Sequence, residues 1–87
     1  MTTYRLYIGA NNTTGKVELD KIEHILNGYY DGYTIEQATG YWQGGKEASV
    51  VITIASEIQI IPVIVELKHV LKQDAIAYQK VEQLNFI

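Results

Sequence analysis

The chain has 87 residues, a formal net charge of −3, no cysteine and two histidines. This length predicts a single domain, 1–87, close to the lower size at which a core forms without disulfides or metals. The lack of cysteine excludes disulfides and thiolate metal sites, and His24 and His69 are too far apart in sequence to indicate zinc. The lysines are isolated, so no basic patch suits nucleic acid as a partner.

No segment of the sequence predicts contact with a membrane. The longest apolar run, at 60–65, is far too short to span a bilayer. The chain opens with Met1-Thr2-Thr3-Tyr4-Arg5 and has no charged-then-apolar leader, so we expect no signal peptide. The expected location is therefore the cytoplasm.

The first half of the chain predicts a strand, a loop and a helix. Residues 3–10 alternate apolar and polar side chains, as a half-buried strand does. A polar loop over 11–16 follows, rich in residues that satisfy turn backbones with their own side chains. Apolar residues then recur at helical spacing from Leu19 to about Tyr30. Asp31-Gly32 is expected to end this helix, with Gly32 free to adopt a positive φ.

The middle of the chain predicts a β-hairpin. Residues 33–43 form its first strand, and Gly44-Gly45 is a turn signal. Residues 48–55 form its second strand, which is apolar on both faces.

A second helix and a last strand complete the pattern. Residues 56–59 have the ends of a capping box, but a proline is tolerated only in the first turn, so the helix is expected to begin near Ile60 or Pro62. It runs to about Lys72, and 74–86 forms the last strand.

The element order β-α-β-β-α-β predicts an α+β, ferredoxin-like fold. Such a fold has a four-stranded antiparallel sheet with both helices on one face. The other face would stay uncovered, and the third strand together with several tyrosines makes it apolar. An exposed apolar face of this kind marks an interface. We therefore expect a homo-oligomer, a trimer before a dimer, with sites between subunits.

The hairpin over 39–51 holds the main candidate site. It places the carboxylate of Glu47 about 5 Å across the ladder from its neighbours, near the ring of Tyr41 or Trp42. A carboxylate beside aromatic faces attracts a small cationic ligand. The alternative is that the rings pack on the sheet and Glu47 is a solvated turn residue.

Several short motifs resemble the bacteriophage S-adenosylmethionine lyases, long called S-adenosylmethionine hydrolases. The resemblance rests on Thr39-Gly40 before an aromatic residue, on Glu47-Ala48-Ser49-Val50, on Gln73-Asp74, and on the first strand at 4–8. The family's hairpin tyrosine aligns with Trp42, or with Tyr41 if the register shifts by one residue, and the hairpin here is shorter. An indole has no hydroxyl, so a hydroxyl role requires Tyr41.

A second, uncharacterised bacterial domain family has a similar layout. It matches at 31–34, at Gly40 followed by Trp42, at Glu47 with Ser49, and at a glutamine such as Gln73 before the last strand. The two resemblances agree on a fold more firmly than on a reaction.

The lyase resemblance implies a trimer with its sites between subunits and no metal or other cofactor. The substrate would be S-adenosylmethionine, whose own carboxylate attacks its γ-carbon and releases 5′-methylthioadenosine and L-homoserine lactone. The implied catalytic residues are Glu47, which grips the substrate ammonium, and Tyr41. The implied substrate-binding residues are Trp42, Gly9, Ala10, Gln73, Asp74 and Glu82. If the chain is phage-encoded, its location would be the host cytoplasm.

Two alternatives to the lyase stay open. The chain could be a non-catalytic oligomeric protein, a sponge or sensor, that binds a nucleotide-like metabolite. It could also be a structural or interaction module of the uncharacterised family. A phosphate-bearing ligand would require basic residues, and the hairpin offers Lys46 alone, which favours the sulfonium compound.

Overall fold

The computed structural model describes residues 1–81, and in it two helices lie on one face of a single sheet. Every strand pair is antiparallel, and the strand order is β2-β3-β1-β4. This is the predicted ferredoxin-like arrangement, so the predicted fold class is confirmed. The elements are β1 (Thr2–Gly9), α1 (Leu19–Asn27), β2 (Thr34–Trp42), β3 (Gly45–Ser56), α2 (Ile60–Leu71) and β4 (Ala77–Val81).

The core lies between the two helices and one face of the central strands. Strand alternation sends one set of β1 and β3 side chains toward the helices, because Leu6 is paired with Ile52 and Ile8 with Val50. The helices contribute one buried stripe each, as their 3.6-residue repeat requires. The largest fully buried side chains are Leu6, Ile8, Ile22, Leu26, Ile52, Ile54, Ile60, Val63 and Leu67.

Helix α1 ends earlier than the sequence predicts. Its last residue is Asn27, and the N–H of Gly28 donates to the carbonyl of Ile25 at 3.1 Å. Gly28 has a φ of −76°, and Gly32 is not among the glycines with positive φ. The predicted helix end near Tyr30 is therefore wrong, and Gly32 does not adopt the positive φ that is open to it. Glycine is a poor helix former, and Gly28 stops the helix first.

The β2–β3 turn lies one residue before the predicted one. Gln43 and Gly44 have φ values of +50° and +79°, as the two central residues of a type I′ turn do. Gly45 is already the first residue of β3. The strand therefore begins three residues before the predicted Ala48. The sequence does not indicate this earlier start, because the first residues of the strand are exposed and show no apolar alternation.

The ends of the last two elements also differ from prediction. No capping box forms at α2, since the hydroxyl of Ser56 accepts the N–H of Ile58 at 3.0 Å and Gln59 makes no side-chain cap. The helix begins at Ile60, with Pro62 in its first turn, where proline is tolerated. Strand β4 begins at Ala77 rather than at residue 74, and the predicted strand beyond 81 lies outside the described residues.

The sheet face opposite the helices, called here the open face, mixes apolar and charged residues. The register places Tyr7 and Val51 on it, together with Arg5, Glu36 and Glu47. The predicted apolar surface is thus interrupted by charge. Several of the most exposed apolar side chains lie elsewhere, at Ile58 and on the outside of α2 at Ile61 and Val65.

Candidate functional site

Strand pairing places Glu47 at the edge of the open face beside two glycines. Gly40 of β2 is directly opposite Glu47 of β3, and Gly9, the last residue of β1, is opposite Ser49. Because β3 alternates, Glu47, Ser49 and Val51 share this face. The pairing thus brings together residues from three strands that are far apart in sequence.

The two glycines leave room for the Glu47 side chain to lie against the sheet. A β-carbon at Gly40 would lie 3.5 Å from the Cγ of Glu47 and 3.6 Å from its Oε1. A β-carbon at Gly9 would lie 3.2 Å from the same Oε1 and 3.7 Å from Cδ. The side chain therefore passes Gly40 and places its carboxylate over Gly9.

A groove of about 380 Å³ surrounds this carboxylate. Of the described residues that line it, Glu47 alone is charged, which favours a cationic ligand over an anion. Glu47 is exposed in the single chain, so this groove is not the water-poor crevice that a buried site requires. The lining residues are Tyr7, Ile8, Gly9, Ala38, Thr39, Gly40, Glu47, Ser49 and Val51.

Tyr7 forms one wall of the groove. Its hydroxyl donates to Oε1 of Gln79 on β4 at 2.7 Å, which fixes the orientation of the ring. The ring is 38% exposed and offers an aromatic face beside the groove. Aromatic faces attract cations, so Tyr7 and Glu47 favour the same kind of ligand.

The two hairpin aromatics lie on opposite faces of the sheet. Trp42 shares the open face with Gly40 and Glu47, whereas Tyr41 is paired with Lys46 and points to the helix side. Both side chains are 72% exposed. In this register Trp42, not Tyr41, is the hairpin ring on the face that carries Glu47.

The remaining predicted site residues lie at the same end of the sheet or outside the described residues. The side-chain amide of Gln73 donates to the carbonyl of Ala10 at 3.5 Å, so these two are together beside the end of β1. Asp74 is exposed in the segment before β4 and is not among the residues that line the groove. Glu82 lies outside the described residues.

A hydrogen-bonded loop holds the chain that follows Gly9. The side-chain oxygen of Asn11 accepts the N–H groups of Thr13 and Thr14 at 2.8 and 3.1 Å, and its amide donates to Glu18 at 2.7 Å. Glu18 also forms an ion pair with Lys21 at 2.7 Å. The hydrogen bond from Lys21 is the main cause that lowers the pKa of Glu18, with a smaller contribution from Asn11. These bonds fix the path of the loop between β1 and α1.

A second groove, of about 290 Å³, lies on the helix side of the hairpin. It is formed by the loop at 15–17, Leu19 and residues 37, 38 and 48–50 of β2 and β3. Lys16 is the one charged residue among its described lining residues, so no carboxylate of these residues faces the groove. Of these two grooves, only the one on the open face is lined by Glu47.

Residues 1–81 contain no cluster of three or more histidine, cysteine or acidic side chains arranged to hold a metal ion. Within the same residues, neither helix has the length and apolar character needed to cross a membrane.

Seven residues of the groove lining were not among the predicted site residues. They are Tyr7, Ile8, Ala38, Thr39, Gly40, Ser49 and Val51. Strand alternation links Ser49 to Glu47, and the motif Thr39-Gly40 already contained Gly40. Tyr7 gave no local signal, because its position depends on the pairing of β1 with β3 and β4.

The chain matches no protein-family profile and no curated protein sequence. Among solved structures, it is similar to a DUF3240 family protein from Shewanella baltica OS155. The TM-score is 0.63 at 18% identity, and the match covers 100% of this chain and 98% of the other.

Two further solved structures have a similar fold. A phage S-adenosylmethionine lyase in its apo state has a TM-score of 0.62 at 18% identity, with 91% of this chain and 79% of the lyase covered. The de novo designed protein Foldit4 has a TM-score of 0.57 at 15% identity, with 95% and 98% covered. At these identities the similarity establishes the fold alone.

Proposed function

We propose that the chain is an S-adenosylmethionine lyase whose open-face groove binds the substrate through Glu47. One observation carries the proposal: a carboxylate lies in a groove whose described lining holds no other charge. S-adenosylmethionine has two cationic groups, an ammonium and a sulfonium, and such a groove favours both. A phosphate-bearing nucleotide would instead require basic residues.

Two further observations support this proposal. The rings of Tyr7 and Trp42 lie on the same face as Glu47, and aromatic faces stabilise ammonium and sulfonium groups. The fold is shared with a phage S-adenosylmethionine lyase, and the sequence resemblance to that family includes Glu47 and Ser49.

The proposed reaction needs little from the protein beyond orientation. The substrate carboxylate oxygen attacks the γ-carbon, the Cγ–S bond breaks, and sulfur takes the bonding electron pair as a neutral thioether. The products are 5′-methylthioadenosine and L-homoserine lactone, and no proton is transferred. Orienting an intramolecular nucleophile can supply about 7–11 kcal/mol of the barrier. In this scheme Glu47 binds the ammonium and leaves the substrate carboxylate free to turn inward.

The exposure of Glu47 makes a second copy part of the proposal. An exposed ion pair contributes little, because water screens it. We propose that a neighbouring copy, in a homotrimer, covers the groove and removes water from it. Asp74, Gln73 and Ala10 at the same sheet end are proposed to complete the pocket, with Tyr41 available to a neighbouring copy.

Product analysis tests the reaction. Purified protein is incubated with S-adenosylmethionine, and methylthioadenosine and homoserine lactone are quantified by chromatography against the spontaneous background. Glu47→Gln removes the charge without changing the side-chain size. We expect it to lower kcat/KM at least about tenfold, as loss of a charge-assisted contact does. Glu36→Gln is the matched control, because Glu36 lies on the same face but outside the groove.

Each outcome of this assay has a definite meaning. Product formation that falls in Glu47→Gln but not in Glu36→Gln supports the proposal. A wild-type protein that gives no product above background removes the lyase function. If it still binds S-adenosylmethionine in calorimetry, the non-catalytic binding protein is the remaining function.

Light scattering coupled to size exclusion tests the assembly separately. We expect a mass about three times that of one chain at micromolar concentration, because a closed symmetric trimer has a single defined mass. A mass of one chain would contradict a site built between copies.

A further inference from the structure

Gly9 sits beneath the carboxylate of Glu47, although 37 positions separate the two residues along the chain. A β-carbon there would lie 3.2 Å from Oε1, a tight contact from which the carboxylate oxygen would have to shift by a few tenths of an ångström. Gly9 has an ordinary strand conformation rather than a positive φ. Its backbone geometry therefore does not require glycine, and the space above it is the remaining reason for one.

Gly40 gives a contrasting case at the same site. It is directly paired with Glu47, yet a β-carbon there would lie 3.5 Å from Cγ, 3.6 Å from Oε1 and 3.7 Å from the Ser49 hydroxyl. These are ordinary van der Waals separations. An alanine fits at Gly40 without moving the carboxylate, whereas an alanine at Gly9 displaces it.

We infer that Gly9 is a positioning residue for the ligand-binding carboxylate. The missing side chain lets the carboxylate of Glu47 lie against the backbone at the end of β1. A methyl group at this position raises the carboxylate and moves the cation that it binds. This inference rests on the proposed function for its kinetic consequences, but the contact between Gly9 and Glu47 can be tested without turnover.

The kinetic test compares Gly9→Ala with Gly40→Ala. Because Glu47 is proposed to hold the ammonium and not the reacting carbon, the loss should be in binding. We expect Gly9→Ala to raise KM for S-adenosylmethionine about fivefold and to change kcat less than about twofold. Gly40→Ala should raise KM less than Gly9→Ala does, because its β-carbon would keep an ordinary van der Waals distance from Glu47. Glu36→Gln, outside the groove, should leave both constants within about twofold of the wild type. Equal increases in KM for Gly9→Ala and Gly40→Ala would overturn the inference. They would mean that a methyl group on either strand disturbs the sheet, whatever its distance from the carboxylate of Glu47.

A double variant tests whether Gly9 acts through Glu47. In the Glu47→Ala variant the carboxylate is absent, so adding Gly9→Ala should have no further effect on KM or on S-adenosylmethionine affinity measured by calorimetry. An additional loss equal to that in the wild-type background would overturn the inference.

Carbon-13 NMR gives a readout that does not depend on catalysis. The side-chain carboxyl resonance of Glu47 is assigned by its disappearance in Glu47→Gln. We expect this resonance to shift in Gly9→Ala and to stay in place in Gly40→Ala. An unchanged resonance in Gly9→Ala overturns the inference even if the wild type is an active lyase. A shifted resonance with an inactive wild type supports the contact and removes the proposed function instead.

If Gly9→Ala lowers the melting temperature, Glu47→Asp tests the same contact from the other side. The shorter side chain keeps its charge but cannot reach the position over Gly9. It should raise KM about as much as Gly9→Ala does, and an unchanged KM would contradict a role for carboxylate position.

Discussion

The body of the protein and the end of its β2–β3 hairpin differ in what holds their side chains. In the body, Leu6 and Ile52 are fully buried between the central strands and the helices. At the hairpin end, Tyr41 and Trp42 are each 72% exposed, and from Thr39 to Ala48 every side chain other than glycine is exposed. Packing therefore dictates the residues of the body, whereas the aromatic residues of the hairpin end need another explanation. Ligand or subunit contact is such an explanation.

The largest expected effect is on the body. Leu6→Ala should lower the free energy of unfolding by about 2–5 kcal/mol, because it leaves a cavity in a fully packed region. Denaturation by urea, followed by circular dichroism, measures this loss. Val65→Ala on the exposed side of α2 is the control and should change stability by less than about 0.5 kcal/mol. Equal losses of unfolding free energy in Leu6→Ala and Val65→Ala would contradict the difference in packing between the core and the outside of α2.

A smaller effect is expected at the hairpin turn. Gly44 has a φ of +79°, and no atom lies within 4 Å of the place where its β-carbon would be. Gly44→Ala should therefore cost about 1 kcal/mol from backbone strain alone. Gly32→Ala meets equally open space without a positive φ, so its melting temperature should stay the same or rise slightly. A neutral Gly44→Ala would rule out the type I′ turn.

A pH-dependent effect is expected at the loop between β1 and α1. Because the pKa of Glu18 is lowered in the folded state, chiefly by Lys21, its carboxylate stabilises the fold above the ordinary carboxyl pKa. That contribution is lost as the pH falls through the lowered pKa. Glu18→Gln should therefore flatten the fall in melting temperature between about pH 6 and pH 3. Parallel curves for wild type and Glu18→Gln would contradict the lowered pKa.

The smallest effect on stability is expected for the hairpin aromatics. Trp42→Ala and Tyr41→Ala should each change the free energy of unfolding by less than about 0.5 kcal/mol, since both side chains are exposed. Under the proposed lyase function, turnover of S-adenosylmethionine should separate the two variants, because Trp42 shares a face with Glu47 and Tyr41 does not. If the open-face groove of one chain binds the substrate through its own hairpin, Trp42→Ala should raise KM for S-adenosylmethionine and Tyr41→Ala should not. A loss confined to Tyr41→Ala would indicate that a second copy brings that ring to the ligand.

The sequence predicts the body better than the site, for a physical reason. The core pattern is local and periodic: Leu6 and Ile8 alternate in a strand, and Ile22 and Leu26 repeat in a helix. These periods predict the order of elements and the buried faces.

The site depends on contacts that local periods do not contain. The approach of Gly9 to Glu47 follows from the pairing of β1 with β3 and cannot be read from either segment alone. The choice between Tyr41 and Trp42 depends on which residues form the turn, and Gln43 takes the positive φ that the sequence assigns to a glycine. The start of β3 was missed because exposed strand residues carry no apolar alternation.

The alternation of β2 at its exposed end has one more consequence. Tyr41 and Trp42 are neighbours in the chain, yet they belong to two separate surfaces on the two sides of a ribbon one strand thick. A molecule held over Glu47 covers one side and leaves the other available for an independent contact. Substitutions at 41 and at 42 therefore alter two different surfaces, and the hairpin can contact two neighbours at once, one on each side.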